Sequence, residues 1–417
     1  MRRKTQSQSS LPAQCVDIVV VGANFAGLMC ARQLSDCHRV TVFDPSRHIE
    51  FLPNIHELLS GVKSPPDLRL TRRRLIENSG HQFVQTRVAA INLHSGNIQT
   101  IRGRRVPYDI CVVAVGGVNQ THGVPGVEQF ARPFKSVKDC LGIGRRLKQL
   151  FSYKSKPRLV IVGGGLEGIE ALGEILRRYR SHSGYRIDLV ESSERILPDA
   201  PFSVGREVRK VSQPYAVYFH TGKRVAKVLR KSVILSSGQQ LRSDLTIWTG
   251  GALPSPLLAN SGLSPSPDQW APVRNTLQSC RSRRVFVIGD AAQLPVPIGK
   301  QAYHAMDMAA TAASNINNLL ADRPLEDFWP STKPTLLSFG DLSTFLVFEH
   351  AALVGTSLAA AKEGVYQTTM AALDASTDLT SLKGLYRRAS RSLENLAWPT
   401  ISSLQSLMRL KRVRLLL

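Results

Sequence analysis

Paired cysteines are missing from this chain. Its six (Cys15, Cys30, Cys37, Cys111, Cys140 and Cys280) never fall at CxxC spacing. In a chain of 417 residues that points to reduced thiols in a cytosolic compartment, not to a disulfide framework. Apolar runs of about 18 residues are missing too, so no transmembrane helix is expected. The start, MRRKTQSQSS, is basic and polar with no apolar stretch behind it; residues 1–15 read as a flexible tail, not a secretory signal. There is no HxH, HExxH or Cys/His cluster, and no metal site is expected. Acidic residues are scarce: 31 Asp+Glu stand against 54 Lys+Arg, a net charge of +23. Such a surplus invites nucleic acid. The basic residues, however, come in small scattered groups such as Arg72-Arg73-Arg74, Arg104-Arg105, Arg283-Arg284 and Lys411-Arg412. No basic helix carries interleaved aromatics, so no nucleic-acid partner is expected. An anionic membrane surface or an acidic ligand accounts for the charge at least as well.

What is present is a series of continuous apolar runs: VDIVVVGA (16–23), RVTVFD (39–44), YDICVVAVGG (108–117), PRLVIVGGG (157–165), YRIDLVE (185–191), LTIWTGG (245–251) and RVFVIGDAA (284–292). Helical stretches join them, among them one from about Gly27 to Ser35 and one over 167–180. Strands of this kind alternating with helices imply an α/β fold with parallel sheets buried on both faces. The unit strand, glycine turn, helix, strand, acidic residue occurs twice, near 18–44 and 159–191. Two such units mean two Rossmann-like dinucleotide-binding domains. The polar, proline-rich stretch 254–272 reads as a surface loop, and the pattern changes again after about residue 323.

The second loop is complete. Gly163, Gly165 and Gly168 form GxGxxG directly after a strand and opening a helix. Glycines serve there for the tight turn, for close approach of pyrophosphate to backbone, and for helix-on-strand packing. The helix N-terminus offers free N–H groups and partial positive charge to the phosphates. Glu191 ends the next strand, placed to accept ribose hydroxyls and to repel a 2′-phosphate, which favours NADH. Arg195, close by in sequence, leaves NADPH open.

The first loop, GANFAG, keeps Gly22 and Gly27 around Asn24, Phe25 and Ala26, with Asn24 at the middle glycine position. Asn tolerates left-handed backbone better than other large residues, so the expected turn has Asn24 in that conformation, its Cβ slightly crowding a pyrophosphate. Asp44 takes the ribose position. The later strand ending in Gly289 and Asp290 before a helix puts a carboxylate where it can bond a ribityl hydroxyl, which makes FAD the ligand of this first unit. The domain reading is then a discontinuous FAD-binding domain over 16–125 and 250–322, an NAD(P)H-binding domain over 126–249, and a C-terminal region over 323–417.

These residues, in this order and spacing, resemble the two-dinucleotide flavoproteins of the pyridine nucleotide-disulfide oxidoreductase superfamily, with glutathione-reductase-like FAD and NAD(P) domains. Within it, the chain is most similar to type II NADH:quinone oxidoreductases and their apoptosis-inducing-factor-like relatives. The stretches that carry the likeness, over about 16–350, are GANFAG, EFLPNIHELLSG, YDICVVAVGG, GVPGVE, IVGGGLEGIE, LTIWTGG, RVFVIGDAA, KQAYHAMDMAATAASNI and the hairpin-like LLSFGDLSTFLV. The resemblance implies FAD contact by Gly22, Gly27, Asp44, Gly116 and Asp290, and a place near the isoalloxazine for Pro53 and Asn54. Val88 and Gly251 join the cofactor-binding set on the same basis. It implies an NADH site at Gly163, Gly165, Gly168 and Glu191. Glu170 matches a catalytic-region carboxylate beside nicotinamide and flavin, with a helix-face carboxylate as its alternative. Lys300 and Gln301 match a helix start facing the flavin pyrimidine and the quinone, where a cation would stabilise a reduced flavin. The sequence departs from the AQxAxQ pattern of the quinone reductases: Lys300 replaces the first Ala and Ala305 the second Gln. Tyr303 and His304 line either an acceptor pocket or an ordinary helix surface. No cysteine pair suited to a disulfide reductase follows the first unit, and no cysteine follows Cys280, which sets aside sulfide:quinone reductases.

The function so implied is transfer of hydride from NADH to FAD, with electrons passing to a quinone-like acceptor. Two alternatives stay open: a biosynthetic flavoprotein oxidising or hydroxylating a soluble metabolite, and a non-catalytic NADH-sensing interaction protein. At the end, residues 393–417 place Leu393, Leu396, Trp398, Ile401, Leu404, Leu407, Met408 and Leu410 among basic residues around Pro399. That spacing suits a broken amphipathic helix. It would seat on the inner face of the cell membrane, or against the core or a homodimer partner.

Overall fold

The structure, a computed structural model, describes residues 15–331, 333–374 and 413–417. They fall into two units. The first takes its described residues from Met1–Ile49, Thr71–Gly117 and Pro254–Ser331; the second from Glu50–Leu70, Val118–Leu253 and Thr332–Leu417.

The first unit is built on a six-stranded sheet, in the order Gln278–Ser279, Ser282–Val287, Ile110–Val113, Asp17–Val21, Arg39–Phe43, Gln82–Val84. All neighbours run parallel except the first pair. Ile18, Val20, Val42, Val112 and Phe286 are fully buried, as expected of strands covered on both faces. The Phe25–Gln33 and Ala302–Leu320 helices pack together, and both carry small buried residues, Ala26, Cys30 and Ala31 on one and Ala305, Ala309, Ala312 and Ala313 on the other. The first helix starts earlier than its spacing suggests, because the Leu28 N–H bonds to the Asn24 carbonyl and makes Asn24 its cap. Stretch 254–272 is not the plain surface loop expected. It contains the Pro256–Asn260 helix, and Leu258 and Leu263 are fully buried.

The second unit repeats the plan. Its parallel sheet runs Ala131–Pro133, Leu245–Trp248, Arg158–Val162, Arg186–Val190, Val217–His220. In both units the strand that opens the motif is central, with its sequence successor on one side and a much later strand on the other. That reversal of direction opens a ligand crevice beyond the carboxyl ends of the strands. The duplication reaches further than the motif: each unit makes a three-stranded antiparallel excursion just before that later strand. In the first unit it is Val88–Asn92, Asn97–Thr100 and Arg105–Pro107; in the second, Val225–Leu229, Ser232–Leu235 and Gln240–Arg242.

The second unit also holds an antiparallel sheet of Thr335–Phe339, Ser343–Val347, Ala352–Val354 and Arg414–Leu416, and the Leu358–Leu373 helix. The Leu166–Tyr179 helix lies so close to the first hairpin of this sheet that a Cβ on Gly173 would sit 2.5 Å from the Gly340 nitrogen. Residues 393–412 of the expected amphipathic segment lie outside the described residues. Its last residues, Arg414–Leu416, form a strand paired with Ala352–Val354 where helix was expected. Among the described residues no helix is long and apolar enough to cross a membrane.

Candidate functional site: two glycine loops and a buried ion-pair cluster

In the first loop, Gly22 has φ +94, and a Cβ there would strike the Ala114 carbonyl; one on Gly27 would strike the carbonyl of Gly22. Both positions are therefore glycine for steric reasons. Asn24 is different, and the expectation of a left-handed Asn24 is wrong: its φ is −88 and ψ −147. Gly22 makes the reversal alone. The counterpart of Asn24, Gly165, has φ −74, and a Cβ on it would meet nothing within 4 Å among the described residues. The fold therefore leaves room for a side chain at the middle position, and only a ligand pressed against that backbone calls for glycine. Gly163 (φ +106) and Gly168 repeat the steric demands of Gly22 and Gly27: a Cβ on Gly163 would lie 2.5 Å from Thr249, and one on Gly168 would overlap the Gly163 carbonyl.

Each loop is tethered to its acidic residue in the same way. The Ala23 N–H donates to Asp44 Oδ2 at 2.9 Å and the Ser46 N–H to Oδ1 at 2.8 Å. In the second unit the Gly164 N–H donates to Glu191 Oε2 at 2.6 Å and the Ser193 N–H to Oε1 at 2.7 Å. Both carboxylates are buried. Arg195 does not turn towards Glu191: its guanidinium donates to the carbonyls of Ala200 (2.8 Å) and Pro198. In the first unit Arg72 Nη1 lies 2.8 Å from Asp44 Oδ1, an ion pair that sequence reading missed.

Gly289 (φ +65) brings the turn before Asp290 against the first loop, since a Cβ on it would lie 3.0 Å from the Ala26 Cβ. Lys300 is next to this turn. Its Nζ donates to the Asp290 carbonyl at 2.6 Å and lies 3.7 Å from the centre of the Trp270 ring. Burial pulls its pKa below the usual lysine value. Gln301 caps the Ala302–Leu320 helix. Lys300, Gln301, Trp270, His304 and Met308 line a cavity of about 230 Å³. Gly116 (φ +61) ends the run after the Ile110–Val113 strand. Val88 opens the antiparallel excursion, outside the sheet that carries the loop. Gly251 (φ +93) accepts the Gln120 N–H.

Pro53 and Asn54 sit in a 3-10 turn of the second unit, Leu52–Asn54, and Asn54 Nδ2 donates to Glu57 Oε2 at 3.1 Å. This turn delivers His56 to Glu170, with Nδ1 3.4 Å from Oε2. Glu170 is on the inner side of the helix that follows the second loop. Lys362 Nζ reaches its Oε1 at 2.6 Å and His56 Nε2 at 3.2 Å, while the Ser338 N–H approaches Oε1 at 3.3 Å. Burial raises the pKa of Glu170 and Lys362 opposes the rise. Burial and the cations Lys362, Arg177 and Lys63 hold His56 well below its ordinary pKa, so it is neutral. A second buried pair, Lys63–Glu363 at 2.7 Å, ties the loop after the Glu57–Ser60 helix to the Leu358–Leu373 helix. Nothing local announces these partners; the one hint to Lys362 is a Lys-Glu pair inside the otherwise apolar AAAKEGVY.

Residues 16–309 match the pyridine nucleotide-disulphide oxidoreductase family. The chain belongs to that family. Among curated proteins it is similar to the type II NADH:quinone oxidoreductase of Haemophilus influenzae, with 24% identity over 78% of this chain and 86% of that one. It is also similar to the demethylphylloquinone reductase NdbB of Synechocystis, with 26% identity over 66% and 72%. Among solved structures, the fold matches NDH2 of Plasmodium falciparum in complex with NADH (TM-score 0.79, 16% identity, 92% of this chain and 98% of that chain). It matches the sulfide:quinone oxidoreductase of Aquifex aeolicus as well (TM-score 0.75, 16% identity, 96% and 97%).

Proposed function

We propose that this family member is an FAD-dependent NADH dehydrogenase that hands electrons to a quinone-like acceptor. The observation that carries this is the pair of loops, each with its carboxylate tethered to the loop N–H. Such a loop binds the adenosine half of a dinucleotide, and two of them fit two different dinucleotides. Gly22, Gly27, Asp44 and Asp290 would hold FAD, and Gly163, Gly165, Gly168 and Glu191 would hold NADH. The Asn24 side chain does not disturb the first loop, so the residues present fit a flavin nucleotide. When bound, the flavin supplies hydride acceptance from NADH and onward electron transfer. The engagement of Arg195 with carbonyls supports NADH over NADPH, since no guanidinium from that turn is offered to a 2′-phosphate. Reduction of a quinone takes up protons as well as electrons, and Glu170 Oε1 with Lys362 Nζ is a buried pair able to hold one.

Lys300 favours a second reading. It departs from the quinone-reductase pattern and is engaged by Trp270 and a carbonyl, which suits an acceptor other than quinone, such as a soluble metabolite. Anaerobic reduction of the purified flavoprotein by NADH and by NADPH, followed by an acceptor panel, tests both. Bleaching by NADH with recovery on adding a short-chain quinone is expected. Bleaching that only a soluble metabolite or oxygen reverses would favour the second reading, and a protein that takes up no flavin would overturn both.

A further inference from the structure

The two loops differ at one carbonyl. In the second unit the Gly164 carbonyl accepts the Leu197 N–H at 2.8 Å. Leu197 has φ +50, and the turn that presents it is held by Arg195 on the carbonyls of Pro198 and Ala200. In the first unit the equivalent carbonyl, that of Ala23, accepts instead from Arg72 Nε at 2.8 Å. The same guanidinium reaches Asp44 Oδ1 at 2.8 Å and the Ser46 carbonyl at 2.9 Å. Arg72 thus does with one side chain what a backbone turn does in the second unit, and it adds a positive charge against the carboxylate. Of the three consecutive arginines only Arg72 is buried. Arg73 and Arg74 are exposed, and Arg73 pairs with Glu77 at the surface.

We propose that Arg72 is a positioning residue of the first dinucleotide site, fixing Asp44 and the Ala23 carbonyl so that the loop retains the adenosine diphosphate half of FAD. This rests on the assignment of FAD to that loop. Oδ1 of Asp44 is taken by Arg72 and the Ser46 N–H, which leaves Oδ2 beside the Ala23 N–H to accept a ribose hydroxyl. A carboxylate paired in this way is held in one orientation. A loop ordered before the ligand arrives spends less of the binding energy on ordering. Asn24 brings a side chain to the position where a glycine would admit the pyrophosphate most closely, and Arg72 supplies grip at the adjoining residue.

The test is a double-mutant cycle on FAD affinity. Apoproteins of wild type, Arg72→Met, Asp44→Asn and the double variant are titrated with FAD by quenching of flavin fluorescence. NADH binding at the second loop is followed in the same samples, and thermal melts of the apoproteins report folding. Arg72→Met is expected to weaken FAD by about tenfold or more, the scale of a buried charge-assisted hydrogen bond, while NADH affinity stays at the wild-type value. Because Arg72 acts largely through Asp44, the two losses are expected not to add. Should the unpaired Asp44 unfold Arg72→Met, the double variant carries no unpaired charge, and its comparison with Asp44→Asn still reads the interaction. A wild type that binds FAD with Arg72→Met binding it equally well overturns this proposal alone, as do strictly additive losses. A wild type that takes no FAD overturns the assignment beneath it as well.

Discussion

Lys362 Nζ and Glu170 Oε1 lie 2.6 Å apart, brought together from the last described helix and from the helix behind the second glycine loop. Both side chains are largely shielded from water. Removing one partner of such a pair leaves the other charge buried, at a cost of about 3–5 kcal/mol. Lys362→Met is therefore expected to lower the melting temperature by several degrees. The double variant Lys362→Met/Glu170→Gln should recover most of the loss. A double variant no more stable than the single one would mean that the pair is not what Lys362 contributes.

The acid side of the stability profile is expected to depend on His56. Burial, then Lys362, Arg177 and Lys63, depress its pKa from the ordinary 6.5. A group whose folded pKa is depressed contributes stability above its unfolded pKa and loses it as pH falls towards the folded value. The loss therefore begins at about pH 6.5 and grows with acidity. Glu170 and Glu174, raised by burial, act with the opposite sign, from their ordinary 4.5 upward. His56→Gln should flatten the fall in melting temperature between about pH 7 and pH 5.5. His38 and His81, also depressed by burial, keep the slope from vanishing. Identical slopes in variant and wild type would show that folded His56 accepts a proton after all.

The glycines separate fold from ligand. Gly165→Ala places a Cβ that meets nothing within 4 Å among the described residues, at an ordinary φ of −74. Its stability should stay within about 0.5 kcal/mol of wild type, while NADH affinity drops about tenfold or more as the backbone loses its close approach. Gly168→Ala drives a Cβ into the Gly163 carbonyl and should destabilise the protein outright. Thermal melts and NADH titration distinguish the two. Equal melting temperatures for the two variants would sink the distinction.

Cofactor choice should turn on Glu191 and not on Arg195. On the proposed assignment, Glu191→Gln removes a carboxylate that would repel a 2′-phosphate, and the ratio of kcat/KM for NADH over NADPH is expected to narrow. Arg195→Ser should leave that ratio where it is, because the arginine spends its donors on the Pro198 and Ala200 carbonyls. A ratio that moves with Arg195→Ser would place the guanidinium at the nucleotide.

The glycine loops and their acidic residues were legible because each unit is local: strand, turn, helix and strand follow one another within some thirty residues, the span of a βαβ unit. Both parallel sheets followed from the continuous Val/Ile/Leu runs. Arg72, His56, Lys63 and Lys362 were not legible, because their partners are set by how distant segments fold together. Lys362 and Glu170 are 192 positions apart, and Arg72 lies 49 from the carbonyl it holds. Asn24 was misread for a different reason. Its residue type suggested a left-handed turn, but Gly22 had already supplied the reversal, and Asn24 caps the helix at φ −88.

Gly173 and Gly340 set the Leu166–Tyr179 helix against the hairpin with no side chain between them. Glycine is the smallest residue there is, so this spacing acts as a one-sided ruler. Every substitution at either position can only lengthen it, and none can shorten it. Glu170 and Ser338, one on each side of that seam and already 3.3 Å apart, stand at the near end of the scale. Change at these two glycines over evolutionary time is therefore directional: the grip of the hairpin on Glu170 can be loosened by it, and never tightened.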